Sequence, residues 1–114
     1  MIEPIATIQT GDNHSIALFP GKIVLRRKGA LNTLIHGFDG AKTIYTKHIS
    51  AMQVSAPGTF TAGFLQFTLS GGNESTGGKF QAAGDENTIL FQSKDIEDIN
   101  AICSLIEDQI LKSS

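Results

Sequence analysis

Residues 59–91 read TFTAGFLQFTLSGGNESTGGKFQAAGDENTILF, and their alternation decides the class of fold. Phe60, Ala62, Phe64, Gln66 and Thr68 fall on one face, and Thr61, Gly63, Leu65, Phe67 and Leu69 on the other. After Gly63 the face carrying Leu65, Phe67 and Leu69 is wholly apolar, the period-two mark of a strand with one buried side. A loop rich in Gly, Ser and Asn follows, then Lys79 to Ala83, a turn at Gly84 to Asn87, and a second strand at Thr88 to Phe91. Gly63 lies inside the strand pattern, where a missing Cβ permits a bend or bulge that helps to close a small barrel. Asp85 and Asn87 are suited to side-chain turns that lead into the last strand.

Working back toward the amino terminus, Ile5 to Thr10 is a short β-prone run ended by Gly11-Asp12-Asn13. His14 to Phe19 reads as a strand closed by Pro20-Gly21, and Lys22 to Lys28 follows at hairpin distance with Ile23 and Leu25 on one face. Residues 29–40 have mixed period and read as a loop or a strand continuation, with Gly37 and Gly40 serving turns. Lys42 to Lys47 alternates, Ile44 and Thr46 against Thr43, Tyr45 and Lys47. In the next strand Ile49, Ala51 and Gln53 oppose Ser50, Met52 and Val54, and Pro57-Gly58 then turns the chain.

The carboxy-terminal element has a different period. Ile96, Ile99, Ile102, Cys103, Ile106 and Ile110 fall within a stripe of roughly 120° on a helix. Ser93 or Asp95 caps its start, and Asp95, Glu97 and Asp98 place negative charge at the positive end of the helix dipole. Isoleucine is a moderate helix former, so this helix depends on docking its stripe, with Ile102 and Ile106 at the centre. The expectation is one domain over residues 1–114, core about 5–111, mainly β, with about seven antiparallel strands and one amphipathic carboxy-terminal helix. That order of elements is the order in a pleckstrin-homology-like open barrel whose helix plugs one end.

Certain residues resemble a bacterial family of pleckstrin-homology-like domains, the DUF4429 type. They are His36-Gly37, Ile49-x-Ala51-x-Gln53-Val54, Ala62 to Phe67, Gly71 to Ser75, and Asp85 to Ile89 with Phe91. The resemblance covers about Lys22 to Ile110 and implies a fold and a bacterial or phage setting. It implies no catalytic residues. Relatives of this type are often followed by a short oligomerisation segment of the SHOCT type, and this chain ends at Ser114 without one.

Composition narrows the function classes. At 114 residues, 40% apolar and 18% charged, the chain has the make-up of a globular protein rather than a disordered one. A net charge of −2 gives no global drive toward nucleic acid or anionic membrane. A single cysteine, Cys103, excludes an internal disulfide and points to a reducing, cytoplasmic home. No run approaches the roughly 18 apolar residues of a membrane span, and the first residues lack the basic and apolar regions of a signal peptide. Asn13 and Asn73 therefore stand in chance sequons.

No metal-ligand spacing, cofactor motif or catalytic constellation emerges. There is no CxxC, HExxH or EF-hand loop. Cys103 lies on the apolar stripe and reads as a buried, inert thiol. His14, His36 and His48 read as surface or hydrogen-bonded histidines. Gly72 to Phe80 fails as a phosphate loop, because Gly78 stands where lysine is needed and no helix follows. The paired carboxylates at Asp85-Glu86 and Asp95 to Asp98 read as a turn and a helix start.

Charge asymmetry remains. Lys22, Arg26, Arg27, Lys28, Lys42 and Lys47 stand against Asp39 alone between residues 20 and 50, while the last third is acidic. The leading expectation is a non-enzymatic binding or scaffold module acting through a protein partner or through self-association, with no cofactor and no small-molecule substrate. It follows from the fold and from the sheet edges that open barrels leave for added strands. The alternative is an anionic ligand, phospholipid head group or nucleic acid, held by those six basic residues on the amino-terminal strands.

Overall fold

The alternation along the chain becomes antiparallel strands in a computed structural model that describes residues 3–11, 13–27, 40–70 and 87–113. Four strands form the first sheet in the order β1 (Ala6–Gln9), β2 (His14–Phe19), β3 (Lys22–Arg27), β4 (Gly40–Tyr45). Three form the second, β5 (Ile49–Ser55), β6 (Gly63–Leu69) and β7 (Thr88–Phe91), again in chain order. The helix α1 (Ile96–Ser113) closes the chain. The protein is therefore mainly β with one carboxy-terminal helix, and its two sheets do not close on each other.

Local chemistry explains the joints. Pro20-Gly21 links β2 to β3 with Phe19 opposite Lys22, and Gly21 takes a φ of +83°, the left-handed region that glycine enters without a Cβ penalty. At the β1–β2 turn Asn13 occupies the same region, at φ +62°, and Thr10 accepts its N–H at 3.1 Å. After β4 the chain tightens into a 3₁₀ turn at Thr46–His48 instead of running on as a strand. Thr46 is fully buried there and its N–H donates to Gly21 C=O at 3.0 Å, so the turn bends around a fixed point on the first hairpin.

Two strand readings are corrected by the structure. β6 starts at Gly63, not at Thr59, because residues 59–61 bend sharply and Gly58 N–H donates back to Thr61 C=O at 3.0 Å. Phe60, placed by alternation on a strand face, is 97% exposed in that bend. In β5 the strict alternation breaks at Ser50, an extra residue between the pairs Ile49–Leu69 and Ala51–Thr68. Ile49 consequently shares the core side with Met52 and Val54, rather than with Ala51 and Gln53.

The core lies between the sheets and the helix. Ile16, Leu18, Ile23, Leu25 and Ile44 come from the first sheet, Ile49, Leu65, Phe67 and Ile89 from the second, and Ile102 and Ile106 from α1. Ile99 is also buried, while Cys103 and Ile110 pack at the margin. The helix is latched at two points. Asp95 Oδ2 accepts Gly11 N–H at 2.8 Å beside the β1–β2 turn, and Gln109 Oε1 accepts Gly21 N–H at 3.3 Å at the β2–β3 turn. α1 thus reaches from the β1–β2 turn to the β2–β3 turn, packing against β1 and the 3₁₀ turn.

Candidate interaction edge

The basic residues singled out from the sequence do not share one face. Lys22 and Arg26 alternate with buried Ile23 and Leu25, so both stand on the outer side of β3. Lys42 pairs with Leu25, which puts it on the opposite side of the first sheet. Lys47 is exposed in the 3₁₀ turn. The ammonium of Lys22 sits 5.3 Å from the centroid of the Phe19 ring, its cross-strand neighbour, in a cation–π contact. Arg27 ends β3, and its side chain and Lys28 lie outside the described residues.

The other residues named from sequence divide similarly. Gly63 stands at the first position of β6, where a Cβ would come within 2.6 Å of Ser55 O and 2.8 Å of Phe91 Cζ. Its role is close approach of backbone to backbone at the strand start. Asn87 C=O accepts Phe67 N–H at 3.0 Å, which begins the β6–β7 ladder. Gly37, His36, Asp85 and the loop around Lys79 lie outside the described residues. Ile102 and Ile106 face the core.

His14 joins the two sheets. It is only 8% exposed, and its Nδ1 accepts the N–H of Leu90 at 2.9 Å, so an imidazole from β2 occupies the outer edge of β7. Asp95 is 6% exposed and accepts Gln92 N–H at 2.9 Å as well as Gly11 N–H. Both buried polar side chains are thus spent on backbone donors. Cys103 is half-buried, and burial, followed by the Glu107 carboxylate one turn on, pushes its thiol up to about 11. A thiol held in that range is a weak nucleophile at neutral pH. Among the described residues no three His, Cys, Asp or Glu side chains converge as metal ligands. Nor, among them, is any helix long and apolar enough to cross a membrane.

Within the described residues the fold leaves one long strand edge unpaired. Among the described residues β5 pairs only with β6. Phe67 N–H points to β7, so antiparallel geometry turns the flanking Gln66 and Thr68 toward β5. Their partners Gln53 and Ala51 then face β6, and Met52 and Val54 turn their N–H and C=O groups outward. The Leu90 N–H, which points away from β6 to reach His14, obeys the same alternation. Ser50, Ala51 and Gln53 are exposed, and Val54 is 41% exposed.

Sequence reading did not single out this edge, although it carries a signal. No Asp, Glu, Lys or Arg occurs between Ile49 and Ser70. Charge and proline are the usual protection of an exposed strand, and β5 has neither.

Comparison with known proteins adds one result. No curated protein and no solved structure is significantly similar to this chain. The family model of the domain of unknown function DUF4429 matches residues 18–102, from the end of β2 into the first two turns of α1. By that match the chain belongs to the DUF4429 family.

Proposed function

We propose that this domain is a non-enzymatic binding or scaffold module that works through protein–protein contacts, with itself or with a partner. The observation that carries the reading is the uncharged, exposed edge of β5, whose Met52 and Val54 backbone groups point away from the sheet. Such an edge binds by adding a strand, where main-chain hydrogen bonds supply affinity and alternate side chains supply selectivity. Four strands, three strands and a helix latched along the first sheet support a pleckstrin-homology-like reading of the fold. The bacterial or phage setting comes with that reading. The lone cysteine suits a reducing cytoplasm.

Affinity capture with the full chain, paired with light scattering, tests the reading. Recovery of a discrete partner or a defined oligomer is the expected result. A strict monomer that captures nothing would sink it.

An anionic ligand is the second reading, supported by Lys22 and Arg26 on the outer side of β3. Binding to anionic vesicles or to nucleic acid would then weaken with salt and be lost when Arg26→Glu and Arg27→Glu are combined. Unchanged binding in that double variant would exclude it.

A further inference from the structure

Building on the protein-contact reading, we propose that the β5 edge pairs with the β5 edge of a second copy of this chain, antiparallel, about a twofold axis through Gln53. The seam would join the two second sheets into one continuous sheet.

Among the described strands that end a sheet, β5 is the one left ready for this. The outer edge of β7 already receives His14 at Leu90 N–H. β1 is four residues long, and α1 packs against it. β4 carries Lys42 and runs into the turn with Lys47. β5 has seven residues, no charge and no proline.

The uncharged β5 and the exposed amide of Gln53 favour a second copy of the chain as the occupant. Outward backbone groups fall at Met52 and Val54, one residue either side of Gln53. A twofold at Gln53 sets Met52 opposite the second copy's Val54, and Val54 opposite its Met52. Each pair exchanges both N–H···O=C bonds, about four in all. Met52 and Val54 side chains lie on the core side, so the seam covers the exposed Val54 with a methionine. On the other side the two Gln53 amides face each other, and an amide complements its own copy because it both donates and accepts. A strand bearing one sign of charge would instead repel itself across such an axis.

A seam one strand wide falls below the roughly 1,200 Å² of standard interfaces, so the dimer depends on concentration. Sedimentation of the full chain from micromolar to near-millimolar concentration should show the mean mass climbing from 12.2 kDa toward twice that value, in low and high salt alike. Gln53→Lys and Gln53→Glu should each remain monomeric, and an equal mixture of the two should recover the dimer. Gln53 is exposed and its side chain points away from the core, so both variants should keep the wild-type unfolding temperature.

Register has its own readout. In a Cys103→Ala background, Gln53→Cys should form a covalent dimer on mild oxidation, because residues opposite each other in a non-hydrogen-bonded pair have Cα atoms about 4.5 Å apart. Ala51→Cys should not, since its copy lies about 13 Å along the strands. A full chain that stays monomeric throughout would overturn the proposal, as would a dimer that survives Gln53→Lys or equal cross-linking through Ala51→Cys. If that monomer still captures a partner, self-pairing fails and the protein-contact reading stands. If it captures none, both fail.

Discussion

Oδ2 of Asp95 accepts from the N–H groups of Gly11 and Gln92, so one atom holds the β1–β2 turn to the start of the helix. Its capping role is legible in sequence, because a carboxylate at a helix start has a local partner. Its bond to Gly11, 84 positions away, is not. Asp95→Ala should lower unfolding stability by about 1–2 kcal/mol, one lost cap plus one lost part-buried hydrogen bond. Asp95→Asn keeps an acceptor oxygen and should lose roughly half as much, both read from urea midpoints. His14→Phe keeps the volume at the sheet junction but strands Leu90 N–H, for a loss of about 1–3 kcal/mol and faster hydrogen exchange at that amide. Gly63→Ala drives a methyl into Ser55 O and the Phe91 ring, and should cost about 1–3 kcal/mol.

At the scale of elements, α1 is the clearest success of pattern reading. Ile99, Ile102 and Ile106 are buried, with Ile96, Cys103 and Ile110 at the stripe margins. Ile102→Ala or Ile106→Ala should cost about 2–5 kcal/mol, and Asp at either position should abolish the cooperative unfolding transition seen by circular dichroism. Cys103 adds a pH term. Its thiol is raised in the folded state to about 11, against 9.0 ordinarily, so the unfolded chain releases the proton first as pH climbs. The stability it contributes is complete below pH 9 and is lost as pH rises toward 11. The stability of wild type relative to Cys103→Ala should therefore shrink between pH 8 and pH 10, measured by urea titration at each pH. β5 shows where pattern fails. One extra residue at Ser50 turns Ile49 to the other face, because side chains in a strand alternate strictly.

For the whole molecule, sheet pairing decides what is available to a partner. The first sheet spends Lys22 on the Phe19 ring and sends Lys42 to the side opposite Arg26, so the basic sequence cluster is dispersed in space. Single charge reversal at Arg26 should thus leave the sedimentation behaviour of the domain unchanged, while Gln53→Lys changes it. The contrast separates an uncharged seam from an ionic one in a single experiment.

The amino-acid sequence by itself determined the class of fold, the turn at Pro20-Gly21, the strands at His14–Phe19 and Thr88–Phe91 and the buried stripe of α1. Each follows from periodicity or backbone preference within a few neighbouring residues. Tertiary structure alone decided that Asp95 meets Gly11, that His14 covers β7, that Lys42 leaves the side of Lys22 and Arg26, and that β5 pairs only with β6 among the described residues. These depend on which distant segments pair and in what register. Strand pairing consumes backbone groups from both sides of a contact, and one sequence pattern fits several pairings until the sheet selects among them.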